Sequence, residues 1–364
     1  MAQVKGVDKW LFGIVLLLVL FGLVMVFSAS AVMAKANNGS AYHFVAKQAG
    51  FALAGLIALL ALQRVDYRRF NNATFVYTAL AVTFVLLVGV FLVHDSHHTH
   101  RWFRLGSFVT FQPSELATPV VILFLAWFLQ KRIHLMDEWK ETVVPAALPA
   151  LIFVALILKQ PDLGTALVCA AVCLVMLYLA GLQMRWIMIA VACALPVIVG
   201  MLVLVPWRLA RIKVFLNPDA DPRGAGFHIM QSLIAVGTGG IWGRGLMDGV
   251  QKLFYLPEPH TDFIFANISE ELGLIGAVSL VAGFCFFGYR GMRAAYLSKD
   301  PFARFIAFGL TSAILIQAFF NVSVSLALLP TKGITLPFIS FGGTSLFVTL
   351  ACMGVLLNIT RETS

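Results

Sequence analysis

The sequence predicts an all-α polytopic membrane protein with ten transmembrane helices, and three observations carry that reading. The chain has 364 residues, of which 60% are apolar and only 12% charged, with a mean hydropathy of +0.91. Soluble domains carry about 25% charged residues, and a folded chain of this size needs more polar surface than these residues supply. The apolar residues fall in continuous runs of about 20, the length an α-helix needs to cross a bilayer. A membrane β-barrel would instead show alternating segments of about 10 residues, and a disordered chain would be poor in apolar residues.

Taken in order, the runs occupy 10–33, 44–62, 73–93, 114–129, 143–158, 164–180, 186–205, 272–288, 304–329 and 338–358. The first follows Lys5 and Lys9 and is longer than the apolar core of a signal peptide, so it reads as an uncleaved span despite the small residues Ser28-Ala29-Ser30-Ala31. The second carries Lys47 and Gln48 in its first turns. The fourth opens on Pro113-Ser114-Glu115, a proline and an acid where a helix start favours them. The fifth ends at Lys159, and Asp162 is placed to cap the sixth. Runs four and six are short, implying tilted or thin spans. A loop over about 206–271 separates the seventh span from the eighth, and unstructured loops beyond about 15 residues are usually functional. The ninth carries Gln317 and Asn321, four apart and so on one face. The tenth is entered through a Pro/Gly-rich segment, Pro330–Gly333 and Pro337–Ser345. Irregular backbone at membrane depth is tolerated only against protein or a water-filled cavity. The whole chain, 1–364, reads as a single transmembrane domain.

With the N-terminus inside, the inner segments hold 14 of the 26 Lys and Arg residues, the short outer segments six, and the long loop the other six. Cytoplasmic loops are enriched in Lys and Arg, so both termini face the cytoplasm and the long loop faces outward. Ten of the 17 acidic residues then lie on the outer side, among them Glu115, Asp162, Asp262, Glu270 and Glu271. Chemistry is expected at the outer face of the membrane. The net charge of +9 reflects this loop bias, and no domain is present on which a basic cluster could bind nucleic acid. The five cysteines lie within apolar runs without a CxxC pair and read as small core residues.

Several constellations carry candidate chemistry. Asp262 in His260-Thr261-Asp262-Phe263 is flanked by bulky apolar residues, where lost hydration makes a carboxylate a better base; a helix cap or an Arg-paired carboxylate is the alternative. His260 could hydrogen-bond it or touch substrate. Arg101 and Arg104, three apart, suit a diphosphate or an ion pair. Glu115 at the start of span four is an acidic first-turn residue or the rim of a cavity. Lys47 either snorkels or faces a polar cavity, and Lys159 is left to face an anionic head group. Gln231 and Ser232 could hydrogen-bond a sugar or each other. Gly237-Thr238-Gly239-Gly240-Ile241-Trp242-Gly243-Arg244-Gly245 matches no nucleotide-binding fingerprint and reads as tight turns with close backbone approach. His94, His97, His98 and His100 lack an ordered metal spacing and read as a solvated loop.

Together, FQPSELA at 111–117, KQPDLGTAL at 159–167, QS-AVGTGG-GRG across 231–245, LPEPHTDFIFA at 256–266, EELGLIG at 270–276, and PTKG with LPFISFGGTSL across 330–346 resemble the SEDS family (shape, elongation, division and sporulation). The lysine of PTKG is more similar to the division-type FtsW branch than to elongation-type RodA. Thr118 stands where many members carry Lys, and His228 and Phe341 where Tyr is common. The resemblance implies a peptidoglycan glycosyltransferase that polymerises lipid II, a disaccharide-pentapeptide on undecaprenyl diphosphate, into β-1,4 glycan with inversion. Asp262 matches the family's essential Asp and is expected to act as general base. Lys47, Arg101, Arg104, Glu115, Lys159, Gln231, Ser232, His260, Thr261, Lys332 and Ser340 are the expected substrate-binding residues, with Asp162 structural. No cofactor is certain; a divalent cation, Mg or Mn, on Glu115 is a candidate. Expected partners are a class B penicillin-binding transpeptidase and other division or elongation proteins. A lipid II flippase and a non-catalytic scaffold for a transpeptidase are the competing readings.

Overall fold

The computed structural model describes residues 6–93, 101–105, 109–136, 138–203, 209, 214–215, 217, 226–253, 256, 258–331 and 333–363. The described chain is helical except for one hairpin. Helices α1 (Lys9–Asn38), α2 (His43–Leu62) and α3 (Ala73–Gly89) precede strands β1 (Phe103–Leu105) and β2 (Val109–Phe111). Then come α4 (Ser114–Leu129), α5 (Val144–Lys159), α6 (Leu163–Leu179) and α7 (Met184–Val203). The last four are α8 (Phe227–Gly239), α9 (Ile264–Leu297), α10 (Pro301–Ser325) and α11 (Gly343–Thr363). Among the described residues, seven helices are long and apolar enough to cross a membrane: α1, α2, α3, α5, α9, α10 and α11, α3 and α5 counted with adjoining turns. Ser114–Leu129, Leu163–Leu179 and Met184–Pro196 are shorter apolar helices.

Local chemistry starts and stops these helices. The Asp8 carboxylate accepts from the Trp10 and Leu11 amides at the start of α1, and Gly39 ends it at φ 74°. Asn72 caps α3, Asp162 caps α6, and Asp300 followed by Pro301 opens α10. The helices pack around one apolar core, with Ile122 and Leu125 of α4 and Phe302 and Phe305 of α10 almost fully buried. The broadest pairing is α2 against α11, and α4 packs on α6 and α10.

The all-helical class holds, with one small addition: the three-residue strands β1 and β2 pair antiparallel with Phe103 opposite Phe111. The structure corrects the sequence expectations in three places. The long loop is not featureless: it contains α8 and the first turns of α9, whose polar residues disguise it in a hydropathy reading. The eighth span, α9, therefore begins at Ile264 rather than 272, and it is kinked at Gly273, whose φ of 66° and ψ of −164° break the helical ladder. Finally, Cys193 and Cys285 are exposed on the helix surfaces, whereas Cys169 and Cys173 are buried. His94, His97, His98, His100 and Lys332 lie outside the described residues.

The glycine-rich turn after α8 is bonded to the kink. Leu274 N donates to Gly240 O at 2.9 Å, Arg244 N to Glu270 O at 3.0 Å and Gly245 N to Glu271 O at 3.0 Å. Gly243, at φ 81°, lies so near this backbone that an added Cβ would overlap the Glu271 carbonyl. The kink divides α9 into a half-helix, Ile264 to Leu272, and a longer apolar helix after it. Every residue from Ile264 to Glu271 is buried.

A carboxylate-bearing cavity at one end of the bundle

A cavity of about 740 Å³ opens at the end of the bundle where α4, α6 and α9 begin. Its polar end is lined by Lys47, Arg104, Glu115, Asp162, Thr261 and Asp262, and its other end by Ile122, Leu310, Ile314, Val348 and Met353. Ile122 lies seven residues beyond Glu115 on α4, about 10 Å farther along the helix axis. One cavity thus offers charged residues near the starts of α4 and α6 and apolar residues farther along the helices.

Asp262 sits immediately before the N-terminus of the half-helix, half-buried, and is held through its backbone. The carbonyls of three successive residues accept hydrogen bonds from different elements. His260 O accepts from Phe341 N at 2.8 Å, Thr261 O from Ser340 Oγ at 2.6 Å, and Asp262 O from Asn321 Nδ2 at 3.0 Å. The same Asn321 amide donates to Ile334 O at 2.7 Å. Gln48 of α2 completes the frame, donating to Ser340 O at 3.0 Å and accepting from Gly342 N at 3.2 Å. A loop tied at every carbonyl holds its side chain in a fixed place, which is what a positioned acid or base requires. An added Cβ at Gly333 would lie 3.3 Å from Asp262 Oδ2, so the carboxylate faces the re-entrant segment as well as the cavity.

The other acidic residues differ in their commitments. Asp162 is 4% exposed and accepts from Thr165 N at 3.2 Å, Thr165 Oγ1 at 3.0 Å and Gln112 Nε2 at 3.0 Å. Its oxygens serve the start of α6. Glu115 is nearer the open space, beside Ser345 and within electrostatic reach of Asp162. Among the described residues, no three or more His, Cys, Asp or Glu side chains gather closely enough to hold a metal ion.

Several expected binding residues lie elsewhere. Arg101 borders the cavity, but its guanidinium donates to Gln160 O at 2.9 Å and to Pro161 O, so it ties the β1 hairpin to the end of α5. Lys159 does not line the cavity; its Nζ lies 5.5 Å from the centroid of the Phe91 ring. Gln231 and Ser232 are on α8 away from the cavity, and Ser232 Oγ donates to Ser325 O at 2.7 Å. Ser340 is buried behind the loop as a clamp. Sequence reasoning missed the polar residues Thr110, Thr335 and Ser345, which line the cavity. Their signal was weak, because a lone hydroxyl carries no spacing or charge that marks it as cavity-facing. Gln317, on the same face of α10 as Asn321, lines the cavity and donates to Thr335 Oγ1 at 3.2 Å.

His260 is 3% exposed and wedged between Phe44 and Phe341, at ring separations of 4.6 and 5.6 Å. It does not line the cavity. Its Nε2 is 3.7 Å from Glu258 Oε2, too long for a hydrogen bond, and Nδ1 is buried without a partner. Burial pushes the imidazole below its ordinary value of 6.5, and Glu258 opposes that shift only in part. A histidine kept neutral by folding makes the native state bind fewer protons than the unfolded one. Stability is then full above about pH 6.5 and falls as pH drops from there toward the lowered folded value. Thermal unfolding in detergent between pH 7.5 and 5.5 should show this loss for the wild type and less of it for His260→Phe; parallel curves would contradict the assignment.

The fold and site define a polytopic helical membrane protein with a fixed carboxylate and basic side chains around a part-polar, part-apolar cavity. The family model for FtsW, RodA and SpoVE, described as "Cell cycle protein", matches residues 8–364, and the chain belongs to that family. It is 41% identical over 345 residues to the probable peptidoglycan glycosyltransferase FtsW of Geobacter metallireducens, covering 94% of this chain and 91% of that protein. It is also 41% identical to stage V sporulation protein E of Bacillus subtilis, over 97% of both chains. Among solved structures, a chain from work titled "Structural coordination of polymerization and crosslinking by a peptidoglycan synthase complex" superimposes with a TM-score of 0.80 at 29% identity, over 98% of both chains. The rod shape determining protein RodA of Thermus thermophilus gives 0.72 at 26% identity, over 98% of this chain and 97% of that one.

Proposed function

We propose that this protein is a peptidoglycan glycosyltransferase that polymerises lipid II in cell division, with Asp262 as general base. The observation that carries the reading is the cavity itself, which joins a backbone-clamped carboxylate to cations and an apolar channel. The acceptor's GlcNAc 4-hydroxyl gives its proton to Asp262 as its oxygen bonds to the donor's MurNAc anomeric carbon. The bond from that carbon to the diphosphate breaks on the opposite face, and undecaprenyl diphosphate leaves with the electron pair. One displacement inverts the α-linked donor into a β-1,4 product. A sugar hydroxyl is a poor nucleophile, which is why a fixed base matters.

Lys47 and Arg104 line the same cavity and suit the charge that develops on the leaving diphosphate. The end formed by Ile122, Leu310, Ile314 and Val348 suits part of the undecaprenyl chain. Thr110, Gln317, Thr335 and Ser345 offer hydrogen bonds to sugar hydroxyls. Glu115 is the residue best suited to a divalent ion, since Mg characteristically uses one or two carboxylates plus substrate phosphates. Such an ion would supply further neutralisation of diphosphate charge. Lys332, next to Gly333 in the cavity wall, is proposed as a substrate contact on its family position.

The topology that fits this role is a single domain of ten spans: seven long helices plus the three shorter apolar ones. Both termini would be cytoplasmic, the loop of about 206–271 and the cavity mouth would face outward, and the membrane would be the bacterial inner membrane. A class B penicillin-binding transpeptidase is the proposed partner, since cross-linking is a different reaction from the one this cavity suits.

The test is polymerisation of purified lipid II by the detergent-solubilised protein, alone and with its cognate transpeptidase. Glycan ladders are expected. Their absence under every partner and divalent-ion condition, with lipid II translocation observed in liposomes, would favour a flippase; absence of both activities would favour a scaffold.

A further inference from the structure

A densely bonded polar cluster outside the cavity lies at the far end of the half-helix that Asp262 precedes. Glu271 is fully buried and is reached by groups from three separate parts of the chain. Ser28 Oγ of α1 is 2.6 and 2.7 Å from its two oxygens. Lys252 Nζ is 2.7 Å away, Met247 N 2.9 Å and Asn267 Nδ2 3.2 Å. Lys252 is 4% exposed and also donates to Ser28 Oγ at 3.0 Å and to Met247 O at 2.7 Å. The neighbouring Glu270, also fully buried, accepts from Val250 N at 2.8 Å and Gln251 N at 3.1 Å, with Arg244 Nε 3.9 Å away.

Burying two carboxylates and an ammonium costs several kcal/mol per ion before pairing offsets it, and an apolar substitute would serve packing at least as well. What the cluster supplies instead is geometry. The half-helix is buried on all sides, so it moves only as a body. Its N-terminal end is fixed by the three backbone carbonyls at His260, Thr261 and Asp262. Its other end, about 13 Å away over nine residues, is fixed by Glu270 and Glu271 to α1 and to the 244–252 segment.

We propose that Glu271, with Lys252, Ser28 and Glu270, is a positioning clamp for the glycosyl-transfer reaction, setting where Asp262 stands in the cavity without touching substrate. This rests on the reading of Asp262 as the base. Release of the clamp lets the half-helix slide or rotate, and displacement of a reacting group by about 1 Å costs on the order of 100-fold in rate. The substrate-binding walls of the cavity belong mainly to α2, α4, α10 and α11, so substrate affinity stays nearly constant.

The experiment measures kcat, KM and the pH–rate profile of lipid II polymerisation for purified Glu271→Gln and Ser28→Ala, beside the wild type and Asp262→Asn. Glu271→Gln is expected to lower kcat about 10–100-fold with KM little changed. It should also shift the acid limb of the profile, because the environment of the base has changed. Ser28→Ala, which keeps every charge, should do the same more weakly. A folded Glu271→Gln with wild-type turnover overturns the proposal. So does a loss equal at every pH, which would mean a smaller active fraction and a merely structural role. If Glu271→Gln does not fold, an unshifted profile in Ser28→Ala overturns it. An inactive Asp262→Asn beside an unaltered Glu271→Gln sinks the clamp alone, whereas an active Asp262→Asn removes the base and the clamp's purpose with it.

Discussion

Asp262→Asn is expected to reduce lipid II polymerisation by about 10²–10⁴-fold, the range a positioned general base contributes, while leaving the protein folded. The side chain keeps its size and loses its charge and its ability to take a proton. The carbonyls of residues 260, 261 and 262 are untouched by the change, so their donors Phe341, Ser340 and Asn321 keep their partners. The check is the glycan ladder formed by the variant, alone and with the transpeptidase, at matched melting temperature. Wild-type ladders from Asp262→Asn would end the assignment and move attention to Glu115, another carboxylate that lines the cavity.

Gly243→Ala should be strongly destabilising. At φ 81° the backbone is in the left-handed region, and the new methyl would overlap the Glu271 carbonyl carbon and oxygen and the Gly273 amide. These are backbone atoms of a buried kink and have no room to move aside. Left-handed strain costs about 1–3 kcal/mol and overpacking about 1–3 kcal/mol, so the loss is about 2–6 kcal/mol. Relief would require parting the Arg244–Glu270 and Gly245–Glu271 backbone bonds. The expected readout is a large drop in thermal stability or failure to purify as a monodisperse species. Gly237→Ala, where an added Cβ meets nothing within 4 Å, is the control and should melt near the wild type. Equal melting of the two variants would refute the close approach.

Much of the architecture was legible because membrane helices announce themselves. A run of apolar residues about 20 long has few alternatives in a bilayer, and Asp162 marks a helix start through a chemistry local to one turn. The family resemblance brought Asp262 forward through a contiguous motif. The β1–β2 hairpin was missed because strands of three residues carry no period to read. The half-helix was missed because Asn267, Ser269, Glu270 and Glu271 make it look like surface, whereas the fold buries all four.

The site divides in the same way. That Lys47, Arg104, Glu115 and Asp262 share one cavity follows from residues more than 200 positions apart meeting at one end of a bundle, and spacing along the chain does not encode that meeting. Arg101 and Ser340 looked like ligands for substrate because a guanidinium and a hydroxyl can bind either a diphosphate or a carbonyl. The carbonyls of Gln160, Pro161 and Thr261 came within reach only when the helices packed. Composition and periodicity are set residue by residue, so the membrane-spanning class and most of the apolar runs could be read from the chain alone, and the motif resemblance singled out Asp262 as the candidate base. Which polar groups face open space and which are consumed by one another depends on contacts between distant segments. Those contacts exist only in the folded state, where a buried polar group must find a partner.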